Sequence, residues 1–321
     1  MRRILANLLC EDELAGRRSS PPRAVLETVA RMAPLLRVFA REEDRLWSPA
    51  PGPGLESGPL GALPPADEVL AWCETPSALE HRGGPRPAAA IDWEAPLHDL
   101  VWRLPTPSPD VVAAVHHRAF HLQVARSIGC ALPGARMVES FAELDRILQE
   151  GLPSWVLKAP LSASGRSRFI ERNGPALTDH KSRRTVERLF DHHGPLLFEP
   201  WMDRTEDFGV SALLGPELRI VGIHGQKVDR KGQFAEIDLD PELSSQDRGR
   251  LLETTEAVAE KLREAGYVGP FGIDAWRYRT AAGTVLNPLG EINARMTFGL
   301  VAWARRRRLE SEGELFQGAR T

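Results

Sequence analysis

From residue 284 the chain reads TVLNPLGEINARM, an apolar run in which Glu291, Asn293 and Arg295 fall on every second position. Side chains two apart on a β-strand point to the same face. Glu291 and Asn293 therefore share a side, and Arg295 joins them if the strand continues. Burying such a face is costly unless something pairs its groups. A solvated edge strand would avoid the cost, but Leu286, Leu289, Ile292 and Met296 do not mark an ordinary wet face. The preceding run, GIDAWRYR, places Asp274 on a neighbouring strand, with a turn at 281–283. Two carboxylates and an amide oxygen are hard ligands suited to Mg²⁺. Asp274, Glu291 and Asn293 are thus candidate metal ligands.

The 321 residues suffice for two or three domains at roughly 100–200 residues each. A chain of this size buries about three quarters of its unfolded surface and needs no disulfide or structural metal to fold. Forty-one Lys and Arg against 44 Asp and Glu leave a net charge of −3, which argues against wholesale binding of nucleic acid. Cys10, Cys73 and Cys130 are widely spaced without a CxxC, so a zinc module is not expected, and the sparse, odd count fits a reducing cytoplasm. No run of 18 apolar residues suggests a membrane span. Arg2 and Arg3 precede a short apolar run that meets Glu11, Asp12 and Glu13 at once. That pattern reads as a first β-strand rather than a signal segment.

The chain divides into unlike parts. Residues 48–65, SPAPGPGLESGPLGALPP, cannot hold a helix or strand and are expected as an exposed loop, a potential docking surface. Apolar runs at 35–39, 69–73 and 100–104 suggest short strands of a small α/β domain, with a helix near 22–32. PTPSP at 105–109 breaks the chain, and one helix is expected to follow from Asp110 as N-cap to Gly129. Ser140 and Glu143 form a capping box for a second helix at 142–148. Strands are then expected at 155–159, 167–171, 196–200, 208–214, 218–224, 271–278 and 284–292, and helices at 183–190, 247–265 and 300–309. Hairpin-joined strands with helices on one side indicate an α+β fold rather than a doubly wound parallel sheet. The His117/His121 pair reads as an ordinary helix face, and the run Arg305, Arg306, Arg307, Arg308 as a solvated basic face.

Two further stretches carry chemistry. In WVLKAPLSASGRSR a strand delivers Lys158 to a loop of small residues, whose backbone N–H groups can approach an anion. An ordinary hairpin with a surface lysine explains that stretch equally well. In LLFEPWMDRTEDFGVSAL an apolar strand ends at Glu199, and a linker leads to Glu206 and Asp207 before the next strand. Such a linker can hydrogen-bond a nucleobase through its backbone, and an acid can take ribose hydroxyls.

The order of the three stretches resembles the ATP-grasp superfamily over residues 110–310, with ExNxR and its upstream Asp as the specific part. The resemblance implies two α+β subdomains, 110–195 and 196–321, clamping ATP, preceded by a small α/β pre-ATP-grasp domain at 1–109. It assigns Lys158 to the phosphates, Ser162, Ser164 and Gly165 to the phosphate loop, and Glu199, Trp201 and Met202 to the adenine linker. Glu206 or Asp207 would hold the ribose; their register stays open. Asp274, Glu291 and Asn293 would carry Mg²⁺, for which Mn²⁺ can substitute. Arg295 would stabilise an acyl phosphate or tetrahedral intermediate, Arg118 would contact phosphate, and Lys227, in competition with Lys231, would reach the γ-phosphate. The implied activity is ADP-forming ligation of a small-molecule carboxylate, or a peptide, to an amine in the cytoplasm, without nucleic acid or membrane. A homodimer is the base-rate expectation. A phosphotransferase, a ligase with a non-amine nucleophile and a silent nucleotide-binding regulator are the alternatives.

Overall fold

The computed structural model describes residues 1–17, 21–87, 90–151, 153–162, 167–172, 174, 177, 179–228 and 234–318, the side chains of 234–235 and 312–318 aside. Three sheets organise them. Strands β1 (Arg2–Leu5), β2 (Arg45–Trp47) and β3 (Glu68–Ala71) form a parallel sheet in the order β2-β1-β3. Helices α1 (Cys10–Leu14), α2 (Arg23–Met32), α3 (Pro76–Arg82) and α4 (Leu97–Leu100) surround it. The apolar runs at 35–39 and 100–104, expected as strands, are a 3-10 helix (Ala33–Phe39) and the end of α4 with the turn after it. Parallel strands need crossovers, and these short runs serve the connections instead.

The Pro/Gly-rich stretch is not a free loop. Arg3, fully buried, donates from Nε to Glu56 at 2.9 Å and from Nη1 to the Pro64 carbonyl at 2.6 Å. Ser48 N–H donates to Glu56 O and the Trp47 indole to Gly58 O. A buried guanidinium that needs acceptors thus fastens a segment whose own secondary structure is one 3-10 turn at Leu60–Ala62.

The expected helix from 110 to 128 is two helices, α5 (Pro109–His116), capped by Ser108, and α6 (Arg118–Ser127). His117 sits between them in an extended conformation and accepts the Ala119 N–H on its ring Nδ1. The break turns Arg118 to the start of a new helix.

Strands β4 (Arg136–Val138), β5 (Trp155–Lys158), β6 (Arg168–Glu171) and β7 (Leu196–Pro200) make an antiparallel sheet in the order β4-β7-β5-β6. Helices α7 (Phe141–Leu148) and α8 (His180–His193) share its core of Val138, Leu144, Trp155, Val186 and Phe198. Ser140 caps α7 as its sequence predicts. β7, expected to open the last subdomain, pairs with β4 and β5, so the chain changes sheet after Pro200.

The third sheet is built from β8 (Arg204–Leu214), β9 (Leu218–Val228), β10 (Phe234–Asp238), β11 (Gly269–Thr280) and β12 (Gly283–Asn293), in the order β10-β9-β8-β11-β12 and antiparallel throughout. Helix α9 (Ser245–Glu264) covers one face, burying Leu251, Val258 and Leu262, each worth roughly 1.5–3 kcal/mol of burial. Helix α10 (Phe298–Gly318) begins on the other face. Its arginine run is a solvated face only at Arg305, which is exposed. Arg306 pairs with Asp240 at 2.8 Å, Arg307 donates to Val221 O, and Arg308 donates to Val38 O and Ala40 O. The basic run fastens α10 to the third sheet and to the N-terminal unit.

Trp303 of α10 lies flat on Gly222, where an added Cβ would come within 2.4 Å of the indole. Gly222→Ala is expected to lower stability by about 1–3 kcal/mol through overpacking, read as a lower urea midpoint with unchanged slope.

Candidate active site

The register of the third sheet sets the site. Asp274 of β11 lies directly opposite Glu291 of β12 and, on its other side, opposite Gly209 of β8; Gly209 in turn pairs with His224 of β9. Trp276, Asp207 and Gln226 form the next row. Alternation puts Asp274, Asp207 and Gln226 on one face. Gln226 Nε2 donates to Asp274 Oδ1 at 2.9 Å, and Asn293 Nδ2 donates to Asp274 Oδ2 at 3.1 Å. The oxygen donors fit a hard divalent ion: two carboxylates on paired strands, with an amide beside them. Among the described residues no three His, Cys, Asp or Glu side chains are grouped so as to hold a metal ion by themselves.

Cations reach this face from α6 and the middle sheet. Arg118 Nη2 lies 3.2 Å from Glu291 Oε1, and its Nε donates to the Ala159 carbonyl at 2.9 Å. Lys158 pairs with Glu199, both largely buried. Arg168, cross-strand partner of Lys158, adds positive charge nearby. Burial pulls the Lys158 ammonium down against Glu199, which acts to raise it. Burial works to raise Glu199 and Glu291, but Lys158 for the one, and Arg118 then Lys158 for the other, hold both carboxyls below their ordinary range. The negative and positive groups therefore compensate each other inside the site.

Two expectations are corrected by strand alternation. Lys227 points away from Gln226, to the opposite face of β9, and pairs with Glu236 at 3.1 Å in solvent. Glu206 faces α9, where Arg277 joins it to Asp247 at 2.7 Å and 2.6 Å. Asp207, in contrast, shares the face of Asp274 and lies 3.3 Å from Arg204. Ser162 is described and half-buried; Ser164, Gly165 and Lys231 lie outside the described residues. Met202 packs with Leu122, Leu197 and Trp276, and the Trp201 backbone is tied to Ser154 in both directions. Arg295 follows the end of β12; its Nε lies 3.5 Å from Glu11 of the N-terminal unit, and its guanidinium covers Trp72.

Sequence reasoning did not single out Gln226 or Trp276, and set His121 aside as part of an ordinary helix face. Gln226 is one residue from Lys227, and only the register with β8 decides which of the two faces Asp274. His121 is one turn after Arg118 on α6, buried between the charges of Glu199 and Glu291, and burial lowers its pKa to about 4. Trp276 lies on Gly290, where a Cβ would fall 1.5 Å from the indole, and carries Arg204 on its ring at 3.7 Å. The spacing of Trp276 from Asp274, two along one strand, was the signal available.

No family model matches the chain, and no curated protein matches it in sequence. Solved structures do match in fold. N5-carboxyaminoimidazole synthetase from Staphylococcus aureus, complexed with ADP, aligns over 92% of this chain and 70% of its own at 9% identity, TM-score 0.52. Phosphoribosylamine–glycine ligase from Thermotoga maritima aligns over 94% and 70% at 12% identity, TM-score 0.55. D-alanyl-alanine synthetase A from Vibrio cholerae aligns over 91% and 88% at 13% identity, TM-score 0.55. The chain has the α+β ATP-grasp fold.

Burial, and then Glu291, push the Asp274 carboxyl from its ordinary 3.8 up to about 6. Between those values the unfolded chain releases a proton that the folded chain keeps, so stability falls as pH rises through the window. Asp274→Asn is expected to gain on the wild type as pH rises from 4 to 7, by about 3 kcal/mol at pH 7, in urea denaturation with chelator present. A pH-independent difference would contradict the burial of this charge.

Proposed function

We propose that the chain is an ATP-dependent ligase that activates a carboxylate as an acyl phosphate and joins it to an amine, releasing ADP and phosphate. The observation that carries the reading is the convergence of Asp274, Glu291 and Asn293 with Arg118, on a sheet face that the Lys158–Glu199 pair approaches from the middle sheet. No Ser-His or Cys-His pair is needed. Phosphoryl transfer asks for in-line positioning and charge neutralisation rather than covalent help.

In this reading Lys158 and Arg118 hold phosphate oxygens. Met202 and Trp276 line the base end, and Asp207 takes the ribose hydroxyls. Asp274, Glu291 and Asn293 would hold Mg²⁺, whose charge neutralises the phosphates. Arg295, between β12 and Glu11 of the N-terminal unit, faces the attacking carboxylate and the acyl phosphate it becomes. The amine then displaces phosphate from the acyl carbon. Residues 1–109 supply the substrate-facing unit, the four-stranded sheet the phosphate-holding unit and the five-stranded sheet the metal-holding unit.

The deciding assay is Mg²⁺-dependent ADP release from ATP with pooled carboxylic acids and hydroxylamine as nucleophile. Acid-dependent ADP together with a hydroxamate is the expected result. ADP without hydroxamate would replace the ligase reading with a kinase. Glu291→Gln is expected to lower metal-dependent turnover by about 100-fold or more while the fold persists by circular dichroism; near-normal turnover would remove Glu291 from the metal site. Lys158→Ala should weaken ATP binding by about tenfold or more; unchanged affinity in calorimetry would place the phosphates elsewhere.

A further inference from the structure

Arg118 and Glu291 hold each other in the position where a metal-bound polyphosphate would need both apart. The guanidinium is anchored from behind: Nε donates to Ala159 O, and the Arg118 backbone N–H donates to Pro160 O at 3.0 Å. Its Nη1 is buried and has no hydrogen-bond partner among the described residues. The Arg118 side chain is 8% exposed and that of Glu291 37%, so the pair is approached from the carboxylate side. Asp274, by contrast, is held by two neutral amides, Gln226 and Asn293.

We propose that the Arg118–Glu291 ion pair selects metal-complexed nucleotide over free nucleotide. The proposal rests on the reading that Arg118 contacts phosphate and Glu291 a metal ion. A bare polyphosphate that takes Arg118 leaves Glu291 unpaired beside its own negative oxygens. A bare divalent ion that takes Glu291 leaves Arg118 buried without a counter-charge. Either exchange breaks a pair with one buried member by withdrawing a partner, which is the costly way to break it. A metal–phosphate complex satisfies both groups at once. Its cation replaces Arg118 beside Glu291, its oxygens replace Glu291 beside Arg118, and the number of paired charges does not fall. The idle Nη1 gives Arg118 a second donor for a bidentate phosphate contact, a capacity that the resting pair leaves unused.

The test is calorimetric titration of the full chain with ADP, once with excess chelator and once with saturating Mg²⁺. Glu291→Gln frees Arg118, so chelated ADP is expected to bind about fivefold or more tightly than to wild type, and the effect of Mg²⁺ to shrink. Glu291→Ala should show the same gain, and covers failure of the glutamine variant to fold. In an Arg118→Gln background the Glu291→Gln change should bring no gain, because no pair remains to break. Chelated-ADP affinity at or below the wild-type value in both Glu291 variants overturns the proposal. So does a gain that persists without Arg118, which would be plain relief of charge repulsion. If wild type binds ADP under neither condition, the nucleotide reading beneath the proposal fails instead.

Discussion

The antiparallel register that sets Asp274 between Gly209 and Glu291 governs the rest of the site. It gathers acidic groups on a sheet face whose far end α10 covers, and buried charge there must be answered. Gln226 and Asn293 answer Asp274 with amide donors. Arg118 answers Glu291, and to do so it must leave the helix line of α5; the extended His117 makes that turn. The break between α5 and α6 is thus understood from the acid it serves, not from helix propensity.

Glycines give this face its depth. Gly209 lets His224 and Gln226 lean across β8, where a Cβ would come within 2.5 Å and 2.8 Å of their side-chain nitrogens, and Gly299 receives the same imidazole from above. Burial lowers the His224 pKa to about 4, so the ring is neutral near pH 7 and adds no charge against the acids. Gly290 does the equivalent service for Trp276. Side chains of one row are thereby packed over bare backbone of the next.

Much of this was legible in the chain. The every-second-residue pattern of Glu291 and Asn293 gave the strand, its face and its donors, because period-2 alternation survives folding unchanged. The long apolar strands and α9 followed the same logic. What failed depended on partners far away in sequence. Lys227 and Gln226 differ by one residue, and Glu206 and Asp207 likewise, so only cross-strand register tells which faces the site. Arg306, Arg307 and Arg308 looked solvated because their acceptors, Val38, Ala40, Val221 and Asp240, come from distant segments. Short apolar runs such as 35–39 fit a strand or a 3-10 turn equally, and tertiary packing decided.

One apolar core runs without interruption from Ile4 of the first sheet and Leu36 of the 3-10 helix to Phe208 of the third sheet, Leu251 of α9 and Leu300 of α10, whereas the middle sheet encloses a separate core of its own. Surfaces that share a core cannot part without wetting it. The first and third sheets are in this sense a single jaw, riveted by Arg308 to the carbonyls of Val38 and Ala40. The four-stranded sheet is the other jaw. It is joined to the first by the chain entering before β4 and leaving after Pro200, by a small apolar cluster in which Leu197 of the middle sheet meets Leu122 and Trp276, and by polar stitches such as Arg118 on Ala159 and Arg17 on Leu161. Polar stitches can be remade in water at little net cost, and the apolar cluster at Leu197 is far smaller than the core the first and third sheets share, so opening the mouth between the jaws wets less apolar surface than parting the first sheet from the third.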